Sequence, residues 1–226
     1  FQDKSPAFIV PALADRDIYI ASESSFYRVL KRSEAHTHRR KSKKPIKRNL
    51  LRPVALAPNQ VWSWDITYLR GPIKGQFYYL YLIVDIFSRK IIHYRIHDHE
   101  AAHLAARLIS EATDIEKVPR DQLILHSDNG GPMKGATMIS TLQHLGIMPS
   151  FSRPSVSDDN PFSESLFKTI KYSPFYPIKP FRDIFECSKW VEYFVTWYNC
   201  SHLHSGIKFV TPNARHVGRD IKILEK

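Results

Sequence analysis

The sequence predicts an α/β domain, a mixed five-stranded sheet flanked by helices, with a small helical appendage before it. Three observations lead there. From Val61 onward, three runs rich in Val, Ile, Tyr and Trp follow one another with only short turns between them. Two further apolar runs then alternate with stretches of helical periodicity. Ahead of all this lies a segment too basic to belong to any core. Meandering strands followed by alternating units argue for a mixed sheet with helices on its faces.

Residues 7–33 read as two short helices around a turn. Ile9, Leu13 and Ala14 give the first an apolar side, and Asp15-Arg16-Asp17 breaks it. Ser22 or Ser24 can cap the second, where Phe26, Val29 and Leu30 recur at helical spacing and Arg28, Lys31 and Arg32 lie outside. This resembles the last part of a helix-turn-helix unit. Residues 34–54 form a Pro-punctuated linker. Strands are expected at Val61–Leu69, Gln76–Phe87, Lys90–Ile96, Leu123–Ser127 and Ile147–Phe151. Helices are expected at Glu100–Thr113, Ala136–Leu145, from Pro161, and over Phe181–Asn199. The order β-β-β-α-β-α-β is the ribonuclease H-like arrangement. The chain thus divides into 1–33, 34–54, a core over 55–218, and a tail over 219–226.

With 226 residues, 43% of them hydrophobic, the chain can bury a full core. No apolar run is long enough to cross a bilayer and no signal-peptide pattern opens the chain, which excludes a membrane reading. Cys187 and Cys200 lack metal-type spacing and fit buried free thiols in a reducing compartment. The net charge of +11 is concentrated: Arg28 to Arg52 carries eleven Lys/Arg against Glu34 alone. Such a block repels itself, cannot pack, and suits a polyphosphate; the plain alternative is a solvated linker.

Against this basic background three carboxylates stand out. Asp65 interrupts an apolar strand, where a lone ionised group is costly without a partner or a metal. Leu123-Ile124-Leu125 delivers Asp128 to a strand end, and Gly130-Gly131 turns the chain immediately after. Glu164 opens a helix. Two Mg²⁺ (or Mn²⁺) ions bridged by Asp65, and flanked by Asp128 and Glu164, would suit phosphodiester chemistry. At about 100° per residue, Lys168 and Lys171 fall within about 40° of Glu164, while Phe162, Leu166 and Ile170 cluster opposite. Lys171, and less directly Lys168, can therefore hold a DNA phosphate; the bland alternative is an i,i+4 surface pair. Asp85 reads as a turn cap or a partner of Arg89. His126 either contacts substrate or packs. His93, His97, His99 and His103 lack a regular ligand pattern and read as surface residues.

The segments VWSWDITYL, LYLIVDIFSRKII, LILHSDNGG, PSFSRPSVSDDNPFSESLFKTIKY and WYNCSHLHSGIKFVTP resemble the integrase-core (DDE) transposases of bacterial insertion sequences, the group most similar to retroviral integrases. That family has 35 residues between the second and third acids of its triad, and so does this chain between Asp128 and Glu164, with Lys171 seven positions on. The resemblance implies a ribonuclease H-like fold, a Mg²⁺ or Mn²⁺ site at Asp65, Asp128 and Glu164, and attack on DNA phosphodiesters by water and then by a 3′-hydroxyl. It implies double-stranded DNA as partner, with Arg28, Lys31, Arg32, Arg39, Arg40, Lys41, Lys43, Lys44, Lys168 and Lys171 as candidate contacts. It also implies a homo-oligomer in the active complex and a bacterial cytoplasmic, nucleoid-associated location. Beginning at Phe1 and ending at Lys226, the chain reads as a form truncated at both ends. Two other readings remain open: a same-fold nuclease that only hydrolyses DNA, and a non-catalytic DNA-binding remnant.

Overall fold

A computed structural model describes residues 5–32, 54–128, 130, 134–152 and 160–225. The chain divides into two units, 1–49 and 50–226. In the first, α1 (Pro6–Ala14) starts with Pro6, whose fixed φ suits the first turn, and α2 (Glu23–Arg32) follows. Of the two candidate caps for α2, Ser22 does the work, accepting the Ser25 amide at 3.4 Å. Leu13 is buried in α1, whereas α2 buries no residue completely and leaves Arg28, Lys31 and Arg32 exposed. Arg39, Arg40, Lys41, Lys43 and Lys44 lie outside the described residues.

The second unit is built on a five-stranded sheet in the order β3-β2-β1-β4-β5. Its strands are β1 (Val61–Arg70), β2 (Phe77–Asp85), β3 (Ile91–His97), β4 (Ile124–Ser127) and β5 (Met148–Phe151). β1–β2 and β2–β3 are antiparallel, while β1–β4 and β4–β5 are parallel. The expected mixed ribonuclease H-like sheet is therefore present. β1 sits at its centre and alternates between two cores. Trp62 and Trp64 face α3 (Ala102–Glu116) and α4 (Ala136–Leu145), beside Ala105, Leu108, Ile109, Met138 and Leu142. Leu69 faces the opposite layer, where α5 (Pro161–Lys171) and α6 (Ile184–Cys200) supply Leu166, Ile170, Cys187, Val191, Phe194 and Tyr198.

The ends of these elements have local causes. β2 stops at Asp85 rather than at Phe87 because Asp85 Oδ1 accepts the Ser88 amide and hydroxyl, both at 2.7 Å, and turns the chain. Expected as a turn cap or a partner of Arg89, it is the former. Arg89 instead lays its guanidinium 4.1 Å from the centre of the Phe162 ring. α6 begins after Asp183, not at Phe181, since the Asp183 carboxylate accepts the Glu186 amide at 2.7 Å. Phe181 belongs to the core but precedes the helix. α4 ends at Gly146, whose φ of +69° and a Cβ that would meet Asp121 Oδ1 at 2.8 Å both require glycine. Downstream, α7 (Pro212–His216) and α8 (Asp220–Leu224) close the chain, and Asp220 is buried against Arg215 at 2.6 Å.

Candidate metal centre

The parallel pairing of β1 with β4 matches Val61 to Ile124, Trp62 to Leu125 and Ser63 to His126. Carrying that register two residues further sets Asp65 beside Asp128. β4 has ended by then while β1 runs on to Arg70, so the two acids meet where the sheet opens. Asp128 is itself held: the β4–β5 register leads to Ser152, whose hydroxyl donates to Asp128 Oδ1 at 2.9 Å. Glu164 arrives on the first turn of α5, which packs Leu166 and Ile170 into the second core and leaves Glu164 half-buried. Lys168 and Lys171 are exposed further along the same helix.

Asp65 shows that the three acids sense one another. Its pKa is pushed up to about 7, first by burial and then by the negative charges of Asp128, Glu164 and Glu100, against the pull of the Ile66 amide on Oδ1 at 2.8 Å. A carboxylate so disfavoured as an anion, among others of like charge, would be stabilised as an anion by a bound cation. The donors are all carboxylate oxygens, which suit a hard divalent ion such as Mg²⁺ or Mn²⁺ rather than a thiolate- or imidazole-seeking metal. Even so, among the described residues no three His, Cys, Asp or Glu side chains enclose a ready-made ion cage.

Glu100 was not singled out from the sequence. It lies just ahead of α3, accepts a 2.8 Å hydrogen bond from the Tyr68 hydroxyl, and adds its charge to the field at Asp65. No spacing rule links it to β1. His126 is buried, with Nδ1 3.0 Å from Ser150 Oγ. Of the four histidines read as surface residues, His99, paired with Asp98, and His103 are exposed, whereas His93, against Glu111, and His97, edge-on to Tyr81, are half-buried.

A central mixed sheet whose middle strands present acids at their open end, with a third acid from the following helix, defines the ribonuclease H-like class of metal-site folds. Within that class, two sequence families, both described as integrase core domain, match residues 55–157 and 145–212. Together these matches span residues 55–212, so the chain carries an integrase core domain, and its sequence is similar to the transposases of bacterial insertion sequences. It is 33% identical over 159 residues to the transposase for insertion sequence element IS904 of Lactococcus lactis, covering 70% of this chain and 61% of that one. It is 34% identical over 129 residues to transposase InsF for insertion sequence IS3A of Escherichia coli, covering 56% and 44%. The chain thus spans about half the length of these curated relatives. Among solved structures, a simian T-cell lymphotropic virus intasome gives a TM-score of 0.59 at 20% identity, over 73% of this chain and 56% of that one. The HTLV-2 integrase catalytic core domain in complex with magnesium gives 0.55 at 18%, over 72% and 99%. At those identities the likeness is one of fold.

Proposed function

We propose that this chain carries the phosphoryl-transfer centre of an insertion-sequence transposase, with Asp65, Asp128 and Glu164 as ligands of Mg²⁺ or Mn²⁺. The observation that carries the reading is the β1–β4 register, which sets Asp65 beside Asp128; the charge of Asp128 adds to burial in raising the Asp65 pKa. Bound divalent metal, as one or two ions, would activate the attacking oxygen and stabilise the departing one. Asp65, Asp128 and Glu164 would hold the metal, with Asp65, central on β1, as the ligand expected to be shared. Glu164 stands half-buried on the first turn of α5, and Lys168 and Lys171, exposed further along that helix, would offer cations to the DNA backbone.

In the first step water adds to a phosphorus at the element end and the P–O3′ bond breaks, leaving a 3′-hydroxyl. In the second, that hydroxyl adds to a phosphorus of the target strand, a new P–O3′ bond forms, and the target's own 3′-oxygen departs and takes up a proton. One phosphodiester replaces another, so no nucleotide cofactor is consumed. Double-stranded DNA is the substrate, and joining two element ends to one target calls for at least two copies of the catalytic unit. The HTLV-2 core, for its part, is described in dimeric and trimeric forms. Among the described residues no helix is long and apolar enough to cross a membrane. A bacterial chromosome places the reaction in the cytoplasm, at the nucleoid.

The test is strand cleavage and joining on labelled duplexes carrying the element's own ends, with Mg²⁺ or Mn²⁺, comparing the chain with Glu164→Gln. Metal-dependent products should appear and fall by about 10²–10³-fold in the variant, the scale of losing a group that acts on the transition state. Cleavage without joining would favour the nuclease reading. Duplex binding with no product under either metal, alike in both proteins, would favour the binding remnant.

A further inference from the structure

Alternation along β1 places Ser63 on the same face as Asp65, two residues away, and that face meets α5. Ser63 is fully buried, with Oγ 2.6 Å from Asn160 Oδ1 and 2.8 Å from Ser163 Oγ. Both partners are 1% exposed. An amide oxygen only accepts, so Ser63 gives its single proton to Asn160, and Ser163 must donate to Ser63. A directed chain Ser163 → Ser63 → Asn160 therefore ties the strand of Asp65 to the first turn of the helix of Glu164. Ser163 is the residue immediately before that acid.

The arrangement is not the one that stability alone would select. Asn160 occupies the N-cap position of α5, where an Asn side chain ordinarily accepts a helix amide, yet it makes no such bond. Its Nδ2 is buried and has no partner among the described residues. Apolar side chains of the same shape would fill this place without leaving a donor unsatisfied. What the polar chain supplies is direction: two short hydrogen bonds fix the strand–helix distance more narrowly than van der Waals contact does.

We propose that Ser63, Asn160 and Ser163 are positioning residues that set the separation of Asp65 and Glu164, and with it the affinity of the site for its divalent ion. This rests on the ligand reading given above. Groups that orient ligands without touching the metal change its affinity by about 10–100-fold when removed.

The experiment uses the full chain and Mn²⁺ alone, with free ion followed by electron paramagnetic resonance and stability by urea melts in chelator. Ser63→Ala leaves the Asn160 amide wholly unpaired and should lower both stability and Mn²⁺ affinity. The double variant Ser63→Ala/Asn160→Leu removes both polar partners, so its stability in chelator should recover towards wild type. Its Mn²⁺ dissociation constant should stay raised by about 10–100-fold. A double variant that recovers Mn²⁺ affinity along with stability would overturn the proposal, reducing the three residues to packing. Should it fail to fold, Ser163→Ala, which spares the 2.6 Å bond, is judged by the same criterion: affinity lowered out of proportion to stability, or not. Asp65→Asn in the same titration separates the two ideas. If it takes up Mn²⁺ as wild type does, the ligand assignment fails; if it does not while the double variant does, only the positioning role fails.

Discussion

Asp65 is the residue whose physics is most exposed to measurement. Its carboxyl is held near pKa 7 in the folded, metal-free chain against an ordinary 3.8. Below pH 3.8 both folded and unfolded chains are protonated there and nothing is lost. Between pH 4 and 7 the unfolded carboxyl ionises first, so stability falls by about 1.4 kcal/mol per unit, levelling off at roughly 4 kcal/mol. Asp65→Asn should therefore equal wild type at pH 4 in chelator and exceed it by up to about 4 kcal/mol at pH 8, as read by urea melts. Divalent metal should reverse that order by stabilising only the wild type. A variant less stable than wild type at pH 8 in chelator would show that the carboxylate is not under the strain described. At this scale the acids were legible because an Asp in an apolar strand and a Glu opening a helix stand out from their neighbours. Ser63, Asn160, Ser163, Ser152 and Glu100 were not, because their bonds join residues far apart in the chain, such as the 97 positions from Ser63 to Asn160. No local pattern records such a pairing.

Among elements, strand and helix identities follow from periodicity, and their limits from caps that periodicity does not report. α7 offers the clearest case. The stretch after α6 looks irregular in sequence, yet His216 docks it onto the end of the sheet. Its Nε2 lies 3.0 Å from Glu116 Oε2, and its Nδ1 lies 3.0 Å from Ser88 Oγ and 3.9 Å from Asp85 Oδ1. Lys90 reaches the other oxygen of Glu116 at 2.7 Å. Burial pulls the His216 pKa down, but the Asp85 and Glu116 carboxylates outweigh it and leave it raised. The His216 bond, with Lys90 and Asn59, draws Glu116 down to about 2. The signs give a window. The His216 contribution is complete below its ordinary value near 6.5 and fades as pH rises through the raised folded value. The Glu116 contribution is complete above 4.5 and fades as pH falls towards 2. His216→Ala should thus cost about 3 kcal/mol near pH 5.5, the scale of breaking a buried pair, and distinctly less at pH 9. Equal losses at both pH values would mean that the imidazole contributes packing and not charge.

Taken whole, the molecule separates its charge from its chemistry. Most of the net +11 lies between Arg28 and Arg52, while the unit bearing the sheet, residues 50–226, carries 21 Lys/Arg against 17 Asp/Glu and has acids at its centre. A unit so weakly charged for its size gains little from the long-range field of DNA, and the basic stretch should supply most of the phosphate attraction. Each cation that neutralises a phosphate releases a counterion and steepens the salt dependence by about 0.9 in log–log slope. Replacing Arg39, Arg40, Lys41, Lys43 and Lys44 with Gln should therefore flatten the slope for duplex binding by up to about 4 to 5. The same substitutions should weaken binding equally for element-end and unrelated duplexes, because phosphate contacts carry no sequence. At low salt and saturating DNA, cleavage per bound complex should be unchanged if, as proposed, the basic stretch only binds DNA and the three acids act on it. Fluorescence anisotropy across a salt series measures the first two effects and single-turnover cleavage the third. An unchanged slope would place the attraction elsewhere, on α2 through Arg28, Lys31 and Arg32, or on α5 through Lys168 and Lys171. The same salt series on those two sets of substitutions would then distinguish the appendage from the catalytic unit as the part that grips DNA.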